Sequence, residues 1–315
     1  MSSQSSSVCQ SSTNLMAKPV LKWAGGKGQL LKQIIQALPP EIYQGKIHRY
    51  VEPFVGGGAV FFWVVQNCNV SEFYLSDVNR ELILLYRTIQ NDIYSLIEAL
   101  KEIEIEYFSL LIEQRESYFL EKRIHYNKQQ HQINYEDFNR DWIERSAYII
   151  FLNRTCFNGL FRVNQKGEFN VPFGDYKNPR ICHEENLLAV SQLLQKAIIK
   201  HQDFTAYHDK VDSQSFVYFD PPYRPLSKTA NFKAYARFNF NDQEQERLAK
   251  FYHQLNQQGA KLMLSNSDPQ NIDPEDNFFE KLYADFKINK IQANRMINSK
   301  ANRRGAISEL LITNY

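Results

Sequence analysis

The sequence lacks an apolar run long enough to cross a lipid bilayer. The longest one near its start, residues 59–65, falls far short of the roughly 20 residues that a spanning helix needs. The first sixteen residues are rich in Ser, Gln and Asn, and they contain neither a basic start nor the apolar stretch of a signal peptide. We therefore predict a disordered tail over residues 1–16 and a cytoplasmic protein that has no membrane partner.

Cysteine is also scarce. The four cysteines, at positions 9, 68, 156 and 182, form neither a close pair nor the spacing of metal ligands. Such cysteines are typical of reduced, structural thiols in a cytosolic protein. We predict that the protein holds no metal.

Negative charge is missing from one stretch near the C-terminus. No carboxylate lies between Asp285 and Glu309, whereas six basic residues do: Lys287, Lys290, Arg295, Lys300, Arg303 and Arg304. A segment of this sign can neutralise DNA phosphates, but a solvated basic surface explains the charge equally well.

Three apolar stretches rich in β-branched and aromatic residues predict buried strands, over residues 50–55, 72–76 and 215–219. They are followed by three glycines at 56–58, by Asp77 and by Asp220. In an open α/β sheet, ligands bind at the carboxyl ends of the strands. We therefore predict a Rossmann-like α/β sheet with helices on both faces, in which these three loops line one crevice.

The middle of the chain has a different pattern. Helical spacing of Leu, Ile and Tyr covers residues 81–128, and a further helix is predicted over residues 136–152. Turn residues then punctuate residues 154–179. We place a mainly helical insert with a β-hairpin at residues 88–186. It divides the sheet domain into residues 17–87 and 187–315.

The segment Asp220-Pro221-Pro222-Tyr223 is the most informative one. Two prolines cannot continue a strand ladder, and they stiffen the loop with its carbonyl groups pointing outward. The Asp220 carboxylate and the Pro221 carbonyl could each accept one N–H of an aromatic amine and stabilise the positive charge that develops during methylation. Tyr223 offers a face for stacking a flipped base. The alternative is an ordinary Pro-Pro turn, and the preceding strand favours catalysis.

Two other blocks suit a cofactor that has a nucleoside at one end and an amino acid at the other. The glycines at 56–58 let the backbone approach a nucleoside, and Asp77 stands where an acidic residue commonly binds ribose hydroxyls. Asp77 could equally cap the next helix. Backbone amides at Gly25 and Gly26, with Lys27, could hold a carboxylate at a helix start. Trp23 is either a core residue or a cofactor contact.

Arg162 lies in the turn-rich segment. Arginine can make the bidentate contact to guanine that dominates direct readout in the major groove. Taken alone, however, an arginine at this position is better explained by a surface salt bridge.

Together these residues resemble the DNA adenine methyltransferase (Dam) family, which includes the GATC-specific enzymes of bacteria. The resemblance covers nearly everything after residue 17. The blocks that carry it are Lys22-Trp23-Ala24-Gly25-Gly26-Lys27, Phe54-Val55-Gly56-Gly57-Gly58, Asn158-Gly159-Leu160 with Arg162 and Asn164, residues 167–174, and Asp220-Pro221-Pro222-Tyr223. Residues 226–232 also look like those of the GATC-specific members.

The resemblance implies transfer of methyl from S-adenosylmethionine, without a metal, to a flipped adenine in double-stranded DNA, with GATC as the preferred site. It implies catalytic roles for Asp220, Pro221, Pro222 and Tyr223. The implied cofactor-binding residues are Trp23, Gly25, Lys27, Phe54, Gly56, Gly58, Asp77, Asp203, Phe204 and Asp220. Lys22 and Arg162 would read guanines, and Asn158 and Leu160 would lie at the DNA near the flipped adenine.

Two departures bear on the recognition sequence. Phe157 stands where members of the family often have tyrosine, and Asp175 where a basic residue is usual. The alternatives are the same chemistry at another short site, an RNA or protein amide methyltransferase, a nicotinamide oxidoreductase, or a DNA-binding protein that has lost catalysis. The sequence implies no obligatory protein partner, and it leaves open whether a restriction endonuclease acts beside the enzyme.

Overall fold

The computed structural model describes residues 16–23, 25–224, 240–294 and 306–315. Residues 1–15 of the predicted tail lie outside this range. So do residues 226–232 and four of the six basic residues near the C-terminus: Arg295, Lys300, Arg303 and Arg304.

The centre of the fold is a sheet in the order β3-β2-β1-β4-β5-β7-β6. Strands β3, β2, β1, β4 and β5 are parallel, and β7 pairs antiparallel with both β5 and β6. The strands are β1 Arg49–Glu52, β2 Glu72–Asp77, β3 Ala197–His201, β4 Ser215–Phe219, β5 Lys261–Ser267, β6 Lys287–Asn294 and β7 Ala306–Thr313. The predicted α/β sheet is confirmed.

Alternation along the central strands gives the sheet two buried faces. In β4, Phe216 and Tyr218 belong to one hydrophobic cluster, whereas Val217 and Phe219 belong to another. Successive side chains of a strand point to opposite faces, so helices must cover both. These helices are α1 Leu31–Gln36, α2 Pro40–Tyr43, α3 Ala59–Asn67, α4 Arg80–Asn91, α8 Glu184–Leu194, α9 Asp242–Gln257 and α10 Phe278–Leu282.

The helical stretch predicted over residues 81–128 is divided into three helices. After α4 come α5 Ile93–Ser109 and α6 Arg115–Gln129, followed by α7 Asp141–Thr155. The first break lies at Asp92, whose side chain accepts a hydrogen bond from the Ser95 amide at 3.1 Å and caps α5. The later helix begins at Asp141 rather than at residue 136.

The predicted hairpin consists of two isolated antiparallel bridges, Cys156↔Phe173 and Val163↔Phe169. Helices α5, α6 and α7 contribute to the same hydrophobic cluster as one face of the sheet. The boundary predicted at residue 88 falls within the last turn of α4, and the division into two domains remains a prediction. No helix in the described part of the chain has the length and apolar character that a membrane span requires.

Candidate active site

A cavity of about 890 Å³ lies at the carboxyl ends of β1, β2 and β4. Four separate blocks of the sequence meet there because parallel strands present their carboxyl ends at one edge of the sheet. The predicted site residues that line it are Trp23, Gly25, Lys27, Phe54, Gly56, Gly58, Asp77, Asp220, Pro221, Pro222 and Tyr223.

Asp220 is held through one of its two carboxylate oxygens. Its Oδ1 lies 2.6 Å from Lys27 Nζ and accepts a hydrogen bond from Ser265 Oγ at 3.0 Å. Its Oδ2 accepts no hydrogen bond from the described residues. Burial raises the pKa of Asp220, and the ammonium group of Lys27 opposes that rise. The carboxylate is thus fixed in place with one oxygen left for a ligand.

Lys27 is buried, with 4% of its side chain exposed. Its ammonium group also donates to the Gly25 carbonyl at 2.9 Å and lies 4.4 Å from the centre of the Tyr223 ring. The sequence suggested that Lys27 binds the carboxylate of an amino-acid moiety. In this structure its ammonium group pairs with Asp220, and its contact with a cofactor stays a prediction.

Tyr223 is anchored by a residue that the sequence did not single out. Its hydroxyl group donates a hydrogen bond to the carboxylate of Glu309 on β7. Burial raises the pKa of both groups. Glu309 comes from the far end of the chain, and no local motif surrounds it.

The loop around Tyr223 is braced by buried amides. Gln245 Nε2 donates to the Pro222 carbonyl at 3.1 Å, and Gln245 Oε1 accepts from Asn266 Nδ2 at 3.1 Å. Both amide side chains are fully buried. Within the described part of the chain, the Pro221 carbonyl has no hydrogen-bond donor. The brace therefore engages one proline carbonyl and leaves the other free.

The glycine loop packs against Trp23. Gly56 has a φ of 46°, and a Cβ atom built on it would lie 3.2 Å from the indole ring. On another side of Trp23, Phe161 stacks at a ring distance of 5.4 Å and an interplanar angle of 23°. Trp23 and Phe161 both line the cavity. Glycine is needed at position 56 because of both its conformation and this close approach.

Asp77 accepts a hydrogen bond from a backbone amide at each of its two carboxylate oxygens. The Gly56 amide donates to its Oδ2 at 3.1 Å, and the Asn79 amide donates to its Oδ1 at 2.9 Å. Burial raises the pKa of Asp77 to about 6. The cap of α4 is Asn79, whose side chain accepts from the Glu81 amide. Asp77 is therefore not the helix cap, and it lines the cavity.

Glu52 is a further carboxyl group at the cavity that the sequence did not single out. It is 2% exposed, and it accepts a hydrogen bond from the Tyr50 hydroxyl at 2.6 Å. Burial raises its pKa well above the ordinary value, and the nearby carboxyl groups of Asp220 and Asp77 add to the rise. Three acidic groups thus share the cavity wall with two lysines, Lys18 and Lys27.

Asp203 and Phe204 lie beside the cavity rather than among its lining residues. Asp203 makes two bonds of 2.8 Å to the guanidinium of Arg247, which holds the pKa of that carboxyl down to about 2. Phe204 packs on Phe54 at a ring distance of 5.4 Å. Phe54 therefore separates Phe204 from the cavity.

The predicted DNA-binding residues lie outside the cavity lining. Lys22, Asn158 and Arg162 are exposed, and Leu160 is partly buried. Arg162 Nε donates to Asn170 Oδ1 at 2.8 Å, and its Nη2 donates to the Asn170 carbonyl at 3.0 Å. Asn158 has a φ of 58°.

The two departures from the family pattern are both at the surface. Phe157 is 52% exposed, and Asp175 is exposed with a φ of 49°. Neither side chain lines the cavity. Among the residues that the structure describes, no group of three or more His, Cys, Asp or Glu side chains is arranged to hold a metal ion.

Comparison with known proteins identifies several relatives. The Type II methyltransferase M.MjaIII of Methanocaldococcus jannaschii is 50% identical over 299 residues, covering 95% of this chain and 99% of that protein. The Type II methyltransferase M1.LlaDCHI of Lactococcus lactis subsp. cremoris is 38% identical, covering 95% of each chain. The DNA adenine methylase of Escherichia coli strain K12 is 34% identical, covering 92% of this chain and 93% of that protein.

The family model described as D12 class N6 adenine-specific DNA methyltransferase matches residues 23–297. This range contains the cavity blocks around Lys27, Gly56, Asp77 and Asp220. It also contains the helical insert and Arg162. The chain therefore belongs to the D12 class of N6 adenine-specific DNA methyltransferases.

Proposed function

We propose that this chain transfers methyl from S-adenosylmethionine to the exocyclic amino nitrogen of an adenine flipped out of duplex DNA. The observation that carries the proposal is the meeting of four sequence blocks at one cavity, with Asp220 fixed at its wall. S-adenosylmethionine supplies a methyl group activated by a positively charged sulfur.

The cavity offers groups that suit such a cofactor. It is lined by the carboxyl groups of Glu52, Asp77 and Asp220 and by the lysines Lys18 and Lys27. Asp77 is an acceptor for ribose hydroxyls, and the glycines at 56–58 allow close approach of the nucleoside. Trp23, Gly25 and Phe54 complete the proposed contacts, and Phe204 packs against Phe54.

The target amine would be oriented by two acceptors. Asp220 Oδ2 and the Pro221 carbonyl oxygen accept no hydrogen bond from the described residues. Each can therefore accept one N–H of the adenine amino group. This arrangement favours a pyramidal nitrogen and stabilises its developing positive charge. Tyr223 supplies a stacking surface. We propose direct transfer without a covalent enzyme intermediate and without a metal.

For the DNA site, we propose GATC, read by Lys22 and Arg162, with Asn158 and Leu160 beside the flipped base. Relatives named DNA adenine methylase align over more than nine-tenths of the chain. Two other relatives are named Type II methyltransferases, which supports a restriction endonuclease as a functional partner. Residues 88–186 would form the target-recognition domain.

The test is methyl transfer from labelled S-adenosylmethionine to duplexes that contain or lack GATC, followed by sequencing that locates the modified base. Methyladenine confined to GATC is the expected result. Methylation at other sites would support the proposed reaction but contradict GATC as the recognition sequence. Transfer to RNA or protein but to no DNA would contradict the proposal.

A further inference from the structure

Asn153 on α7 is a fully buried amide whose hydrogen bonds are all used on backbone groups. Its Oδ1 accepts from the Lys22 amide at 2.9 Å, and its Nδ2 donates to the Lys22 carbonyl at 2.9 Å. The second N–H of the same nitrogen donates to the Gly159 carbonyl at 2.9 Å. Both N–H groups of Asn153 are thus used, and its oxygen accepts one further bond.

The two segments that Asn153 joins are distant in sequence but in contact in the fold. A Cβ atom built on Gly159 would lie 2.3 Å from Lys22 Cδ and 2.8 Å from Lys22 Cβ. Only glycine leaves room there for the lysine stem. Lys22 and the segment carrying Arg162 therefore form one packed unit, and Asn153 is bonded to both parts of it.

We propose that Asn153 is a specificity-determining positioning residue, which holds the two proposed guanine readers, Lys22 and Arg162, at a fixed spacing. The inference rests on the proposed function, because it takes these two residues as readers of the DNA site. Base readout depends on bidentate geometry, so a small shift between two readers weakens discrimination at both bases. Asn153 touches neither the cavity nor, in this proposal, the DNA.

The chain contains a matched control for this role. Asn186 on α8 is 3% exposed and holds the Lys18 backbone in the same way, accepting from its amide at 2.8 Å and donating to its carbonyl at 2.9 Å. It clamps the same N-terminal segment as Asn153. Among the described residues, no hydrogen bond ties the Asn186 side chain to Gly159 or to the segment of Arg162, so its loss perturbs folding without moving the readers against each other.

The experiment compares kcat/KM on the cognate duplex with kcat/KM on duplexes altered at each guanine in turn. For Asn153→Ala we expect discrimination at both guanines to fall about tenfold or more, with the KM for S-adenosylmethionine changed by less than about twofold. Asn186→Ala should keep full discrimination. Arg162→Ala should relax readout at a single guanine.

The outcomes distinguish the positioning role of Asn153 from the reader roles of Lys22 and Arg162. Full discrimination in Asn153→Ala, or equal loss in Asn186→Ala, would overturn the positioning role while leaving the readers in place. Unchanged specificity in Arg162→Ala would overturn the reader assignment and this inference with it, but not methyl transfer. If Asn153→Ala does not fold, Gly159→Ala displaces Lys22 from the other side. Discrimination at both guanines should fall in Gly159→Ala as well, and full discrimination in that variant would also contradict the proposal.

Discussion

At the scale of single residues, the proposed chemistry depends on carboxyl groups held by specific partners. Asp220 is bonded to Lys27 and Ser265 through one oxygen, and Asp77 is bonded to two backbone amides. These bonds fix the direction of each acceptor before a ligand arrives, which is how preorganised groups stabilise developing charge. The two residues allow two separate predictions.

Replacing Asp220 by alanine removes an acceptor for the target amine. We expect Asp220→Ala to lower kcat by at least about 100-fold, on the scale of a lost preorganised partner. Single-turnover methylation of a duplex substrate measures this effect apart from product release. The exposed Asp209 provides a control, since Asp209→Ala should leave the rate unchanged. Near-normal turnover in Asp220→Ala would rule out the mechanism.

The raised pKa of Asp77 predicts pH-dependent cofactor binding. An ionised carboxylate accepts ribose hydroxyls better than a protonated one, and the pKa of Asp77 is about 6. Affinity for S-adenosylhomocysteine should therefore be constant above that value and fall about tenfold for each pH unit below it. Calorimetric titrations between pH 5 and 7 test this. Asp77→Asn should bind S-adenosylhomocysteine more weakly and show no dependence of affinity on pH in this range. An unchanged pH dependence in this variant would assign the titration to another group.

At the scale of elements, the loop after β4 depends on two neighbours in the sheet and on α9. Gln245 on α9 and Asn266 on β5 hold Pro222, and Glu309 on β7 holds Tyr223. The loop contains too few residues to fix its own shape. Its geometry is set by side chains from elements that follow it in sequence.

Replacing Gln245 by leucine keeps the side-chain volume but removes the bond to the Pro222 carbonyl. We expect Gln245→Leu to lower kcat between about 10- and 100-fold, because small misplacements of reacting groups are costly. The KM for S-adenosylmethionine should stay nearly unchanged. Gln90→Leu is the matched control, since Gln90 also donates to backbone carbonyls, those of Leu194 and Ala197, far from the loop. Equal rate losses in both variants would contradict a role for the brace.

At the scale of the whole molecule, an ion pair joins α7 to α4. Arg145 on α7 makes two bonds of 2.7 Å to Glu81 on α4, and its third nitrogen donates to the Tyr126 carbonyl at 2.8 Å. Arg145 is 1% exposed. Glu81 lies in the first turn of α4, the helix that follows Asp77, so this pair links α7 to the helix beside the cavity.

Removing one partner of this ion pair should destabilise the folded protein. We expect Arg145→Ala to lower the free energy of unfolding by about 3–5 kcal/mol, because it leaves the partly buried Glu81 carboxylate without its charged partner. Urea denaturation measures the change. Lys101→Ala, which breaks the exposed pair with Glu184, should cost much less. A loss in Arg145→Ala no larger than in Lys101→Ala would show that the ion pair contributes little.

The sequence by itself determined the buried central strands of the sheet, the loops that follow them and the family. Alternating apolar residues fix which strands are buried on both faces, and the glycine and Asp-Pro-Pro-Tyr segments carry their chemistry locally. Edge strands were not predicted: β3 is short and half-exposed, with the burial of only Ala197 and Ile199 to mark it. Strand β6 was missed as well.

Only the tertiary structure decided which side chains complete the site. The pairing of Lys27 with Asp220, the bond from Tyr223 to Glu309, and the brace by Gln245 and Asn266 all join residues that are far apart in the chain. Such contacts depend on how strands and helices pack, and no local pattern of residue types records them. The blocks of the active site were therefore readable in the sequence, whereas the bonds that orient them were set by the fold.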